Sequence, residues 1–111
     1  MLARDTETLA ITRRHDADQT VVALGGRFTF AAHAAFQAVL VEEIESTAAG
    51  RSIRFDLAAV EFIDSAGLGM LLLARDAARQ RSANIILGGA TGQVQRMLAV
   101  SRFETLFAIE P

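Results

Sequence analysis

The chain contains no cysteine, which excludes a disulfide framework, a thiolate zinc site and cysteine-based catalysis, and agrees with a reducing cytoplasm. Lysine is also missing: all eleven basic residues are arginine, a pattern that reflects GC-rich codon usage more readily than a binding role. Neither sign of charge dominates. A net charge of −2 leaves no electrostatic footprint for nucleic acid or an anionic membrane surface, so the expected partner is another protein. No long hydrophobic run exists either. The longest apolar stretch, Met70 to Ala74, falls far short of the roughly 20 residues a membrane span needs, so no membrane insertion is expected. The N-terminus, with Arg4, Asp5 and Glu7, lacks the basic head and apolar core of a signal peptide, and a cytoplasmic location is expected. What remains is 111 residues with 51% hydrophobic content, read as one domain over residues 1–111 that can bury its own core.

The organisation follows from local pattern. Leu9 to His15, the polar tetrad Asp16 to Gln19 and the β-branched run Thr20 to Leu24 read as a hairpin, with Gly25-Gly26 breaking the strand. Ala31 to Ala49 is Ala-rich and free of Gly and Pro, as a long helix would be. In it Phe36, Leu40 and Ile44 form an apolar stripe opposite Glu42 and Glu45, and Gly50 closes the helix. Strand patterns at Arg51 to Leu57 and Asn84 to Leu87 alternate with helical ones at Ser65 to Arg81 and Gln93 to Val100, and Phe107 to Ile109 is a last strand. The predicted fold is α/β: an N-terminal β-hairpin, then alternating β and α elements, giving a mixed four- to five-stranded sheet covered by helices.

The run Val60-Glu-Phe-Ile-Asp-Ser-Ala-Gly-Leu-Gly-Met-Leu-Leu-Leu73 is the most informative part of the chain. With Ile63 ending a loop from the preceding strand, Asp64-Ser65 stands at a helix mouth on the carboxyl edge of the sheet, where open α/β sheets place their sites. The first-turn N–H groups of a helix lack intrahelical acceptors and carry partial positive charge, so a phosphate added to Ser65 would be stabilised there. Asp64 or Ser65 can also act simply as N-cap, a contribution of about 1 kcal/mol.

Gly67 and Gly69 each cost the helix about 0.5 to 1 kcal/mol relative to Ala, and neither is needed to end it. Close internal packing and close approach of a partner are the two available causes. Helical projection gathers Met70, Leu71, Ala74, Ala77 and Ala78 into one stripe and puts Leu68 and Leu72 beside Arg75, Asp76 and Arg79. Two leucines among charges, next to a modifiable serine, read as a docking surface.

The residues Phe62-Ile-Asp-Ser-Ala-Gly-Leu-Gly-Met-Leu-Leu72 resemble the signature of the STAS domain, the family of sulphate transporters and anti-sigma factor antagonists. Gly26-Arg27-Phe28 resembles the family's turn before the first helix, Ile53 to Leu57 its Asp-Leu strand, and Gly89 to Phe107 its last helix and tail. The resemblance, which is to the stand-alone antagonists, implies that Ser65 is the phosphorylated serine. It implies a GHKL-type serine kinase that is itself the anti-sigma factor, a PP2C-type phosphatase, and binding of the anti-sigma factor by the unphosphorylated form alone. Together with the two leucines that the helical projection singles out, the expected partner-binding residues are Asp64, Ser65, Ala66, Gly67, Leu68, Leu72, Arg27 and Thr29. Many relatives carry an acid where this chain has Thr29, which bears on partner identity more than on the fold. A second member type, the non-switching scaffold subunit of a lipid-transport ABC complex, is the alternative.

An enzyme is not expected. Ser65 lies outside any Gly-x-Ser-x-Gly elbow, and His15 and His33 have no motif relation to it. Asp56, Glu61 and Asp64 match no metal-ligand spacing, and Gly67-Leu-Gly69 is too short for a dinucleotide loop, so no cofactor and no metal are implied.

Overall fold

A computed structural model describes residues 9–111; the charged stretch around Arg4, Asp5 and Glu7 lies outside the described residues. Five strands form one sheet in sequence order: β1 (Ala10–His15), β2 (Gln19–Phe28), β3 (Ser52–Ile63), β4 (Asn84–Gly88) and β5 (Ala108–Glu110). The hairpin pair β1 and β2 is antiparallel, and every later neighbour is parallel. Helices α1 (His33–Ser46), α2 (Ser65–Gln80) and α3 (Gly92–Val100) connect the parallel strands. Each connection steps the same way across the sheet, so right-handed crossovers place all three helices on one face. Alternation in β3 agrees: Ile53, Phe55 and Leu57 are buried, whereas Arg54 and Asp56 on the other face are half-buried.

The core sits between that face and the helices. Phe28, Phe36 and Phe55 run through it as tilted ring pairs with centroid separations of 5.0 and 5.5 Å, Phe36 coming from the predicted α1 stripe together with Leu40 and Ile44. Glu43, one residue from that stripe, is also buried. Its carboxylate accepts from Arg13 Nη1 at 3.1 Å and lies 3.1 Å from His15 Nε2, which ties the hairpin to α1. Hydrogen bonds to Glu42 and then Glu43 push the Arg13 guanidinium above its ordinary pKa.

Several boundaries differ from expectation. Gly25-Gly26 does not break β2, which continues to Phe28; a positive φ of 97° at Gly26 lets the strand follow its neighbour through an irregular stretch. Strand β3 does not end at Leu57. It runs to Ile63 with one extra residue between Asp56 and Ala59 and another between Val60 and Phe62, so a strand and not a loop leads into Asp64. Helix α1 is shorter than Ala31 to Ala49: a 3-10 turn spans Phe30–Ala32, and the helix stops at Ser46. There the Ser46 and Thr47 hydroxyls donate back to the carbonyls of Glu42 (2.9 Å) and Glu43 (2.5 Å), supplying donors to last-turn acceptors. Gly50 lies in the following turn, not at the helix end.

Candidate functional site

The bulged half of β3 positions the site. Arg27 pairs with Phe62 and Phe28 with Ile63, so the two chain segments leave the sheet side by side, one into Thr29-Phe30 and the other into Asp64-Ser65. The Asp64 N–H points at the Phe28 carbonyl at 3.5 Å, a long contact that continues the ladder. Arg27 is exposed and its guanidinium carbon lies 4.5 Å from the Phe62 ring centroid. Thr29 is half-buried and its carbonyl accepts from the Ala32 N–H at 2.9 Å, starting the 3-10 turn. Phe30 is 72% exposed and stacks on His33 with centroids 5.8 Å apart.

Of the two cap candidates the structure selects Asp64. Its backbone is extended and its Oδ1 accepts from the Gly67 N–H at 2.9 Å, while its carbonyl accepts from Leu68 at 3.0 Å. Ser65 is then the first helical residue, exposed, and its hydroxyl takes part in none of the side-chain hydrogen bonds found among the described residues. It has a free oxygen at the positive end of a 16-residue helix.

The two glycines separate cleanly. A Cβ on Gly67 would collide with the Phe28 carbonyl oxygen and with Ile63 Cγ1 (2.7 Å), so internal packing accounts for Gly67. At Gly69 nothing lies within 4 Å of that position, and the residue is half-exposed, so internal packing does not require glycine there. Ser65, Gly69 and Leu73 follow one another at intervals of four along the outer side of α2, and Leu73 is 56% exposed.

Leu68 and Leu72 do not form the exposed pair that helical projection predicts. Leu68 is 8% exposed and Leu72 packs against the core. The flank they share with Arg75 faces protein: Arg75 Nε donates to the Leu106 carbonyl at 2.7 Å, which places the segment after α3 over that side. Ala66 is half-buried. The accessible rim is therefore Arg27, Phe30, Ser65, Gly69 and Leu73. Phe30 is not picked out by the sequence, because it precedes the helical pattern and lies in the 3-10 turn before α1, where no stripe marks its facing.

His15 lies at the opposite end of β2 from Phe28, bonded to Glu43, so neither it nor His33, stacked on Phe30, is bonded to Ser65. Among the described residues no group of three or more His, Cys, Asp and Glu could hold a metal ion, and no helix is long and apolar enough to cross a membrane.

The chain and its fold are similar to those of known proteins. A STAS-domain containing protein of Pseudomonas aeruginosa is 39% identical over 103 residues, covering 91% of this chain and 99% of that one. An anti-sigma factor antagonist from Mycobacterium paratuberculosis superposes with a TM-score of 0.80 at 20% identity, over 95% of this chain and 87% of its own. The Bacillus cell fate determinant SpoIIAA in its phosphorylated form superposes with a TM-score of 0.67 at 17% identity, over 90% of each chain. At such identities these two structures establish the shared fold. A family model described as Mlab, STAS domain matches residues 11–109, and the chain belongs to the STAS domain family.

Proposed function

We propose that this chain is a phosphorylation-switched antagonist of an anti-sigma factor. Unphosphorylated at Ser65, it binds an anti-sigma factor that is also a GHKL-type serine kinase and so releases a sigma factor; a PP2C-type phosphatase restores the binding form. The observation that carries this reading is the uncommitted Ser65 hydroxyl, exposed at the mouth of α2 because Asp64 performs the capping. Phosphorylation there would add up to about two negative charges beside the Asp64 carboxylate, at a spot where the helix dipole tolerates them within the domain. An acidic or apolar partner surface seated on Phe30, Gly69 and Leu73 would be repelled. SpoIIAA, which shares the fold, has structures in unphosphorylated and phosphorylated forms, and that supports the same chemistry here.

The test is to incubate the chain with its cognate kinase and ATP and map the product by mass spectrometry. Phosphate on Ser65, absent from Ser65→Ala, supports the switch; stoichiometric phosphate elsewhere that survives in Ser65→Ala overturns it. A second reading, the non-switching scaffold subunit of a lipid-transport ABC complex, draws on the Mlab description of the matching family model and on the exposed Phe30 and Leu73, which a permanent partner would cover. It requires an unmodified Ser65 and co-purification with an ATPase and permease.

A further inference from the structure

Strand β3 outruns its partner on the β4 side. The last pair there is Asp56 with Gly88, so the backbone from Leu57 to Ile63 has no strand to bond with along that edge. Unpaired backbone groups at such an edge need other partners. Side chains serve at both ends of the gap. Asp56 Oδ1 accepts from the Ala58 N–H at 3.0 Å, and at the far end the Gln93 carboxamide meets Ile63 in both directions: Oε1 accepts from the Ile63 N–H at 3.0 Å and Nε2 donates to the Ile63 carbonyl at 2.8 Å. A primary amide is suited to this because it presents one donor and one acceptor side by side, as a neighbouring strand would.

Ile63 immediately precedes the capping Asp64. The peptide joining them is held from both sides, its carbonyl by Gln93 and its N–H facing the Phe28 carbonyl at 3.5 Å. The long Phe28 contact leaves Gln93 as the shorter of the two restraints. Gln93 is itself fixed, because it is the second residue of α3 and the next residue, Val94, is fully buried with Leu98 one turn on.

We propose that Gln93 is a positioning residue for the Ser65 switch: it locks the Ile63–Asp64 peptide in the orientation that leaves Asp64 capping α2 and Ser65 exposed, and it links that orientation to the docking of α3. This rests on the switch reading of Ser65.

Amide hydrogen exchange by NMR on the whole chain tests the lock without any partner. In Gln93→Ala the Ile63 amide should exchange about five- to tenfold faster while Ile53 and Phe55, paired on both sides, keep their protection, because only one local hydrogen-bond pair is lost. Gln93→Glu keeps the acceptor for the Ile63 N–H but faces the Ile63 carbonyl with an oxygen, so Ile63 should stay protected while the Asp64 and Ser65 resonances shift. Unchanged Ile63 exchange in Gln93→Ala, or a loss spread evenly over Ile53 and Phe55, overturns the proposal. Kinase-catalysed phosphorylation of Ser65 should then be slower in Gln93→Ala than in wild type; equal rates with Ile63 released overturn the positioning role. A wild-type chain that takes no phosphate at Ser65 overturns the switch reading while leaving the exchange result to stand.

Discussion

The Phe28 carbonyl oxygen fills the space that a Cβ on Gly67 would occupy, and this contact holds the mouth of α2 against the end of β2. Gly67→Ala must push the helix away from the sheet or rotate the Phe28 peptide, and overpacking of this kind costs about 2 to 3 kcal/mol. Gly69→Ala meets open space and relieves a helical glycine, so it should raise stability by about 0.5 to 1 kcal/mol. Urea denaturation of the two variants should therefore move in opposite directions.

Asp64, and not Ser65, caps α2, so the two residues part in a stability measurement. Asp64→Ala should lose about 1 kcal/mol, while Ser65→Ala should melt within about 0.5 kcal/mol of wild type. A larger loss in Ser65→Ala than in Asp64→Ala would reassign the cap and remove the reason why the serine hydroxyl is free.

Leucines on α2 divide by burial. Leu68→Ala empties a core position and should cost about 2 to 4 kcal/mol, whereas Leu73→Gln should change stability by no more than about 0.5 kcal/mol. If Leu73 seats the partner, Leu73→Gln loses binding in calorimetry with an unchanged melting temperature.

Glu43 joins the hairpin to α1 through Arg13 and His15 from a buried position. Glu43→Ala removes the buried carboxylate that the exposed Arg13 and His15 share, leaving Arg13 only its Glu42 partner, and should loosen the hairpin from α1. Amides of β1 should lose protection before those of β3, since the hairpin is the element released.

The order of elements and the Asp64-Ser65 helix mouth were legible in the sequence because hydrophobic period and glycine punctuation are local signals. The length of β3 was not, because its two extra residues disturb the alternation that marks a strand. The burial of Leu68 was hidden for a different reason. Projection of one helix shows its own stripe but not what packs on the neighbouring flank; at Arg75 on that flank, the chain arrives from as far away in sequence as Leu106. Gln93 gave no signal at all: its role depends on β3 outrunning β4, which only the assembled sheet reveals. Gly67 and Gly69 look alike in sequence and differ only in what stands opposite them.

The measurement that tests the switch most directly is the affinity of the anti-sigma partner for the chain before and after stoichiometric phosphorylation at Ser65, by calorimetry, with Ser65→Ala and Ser65→Asp beside it. Tight binding is expected of the unphosphorylated chain and of Ser65→Ala, weaker binding of Ser65→Asp, and loss of binding on phosphorylation with the fold intact. Equal affinity of the phosphorylated and unphosphorylated chains would contradict the switch.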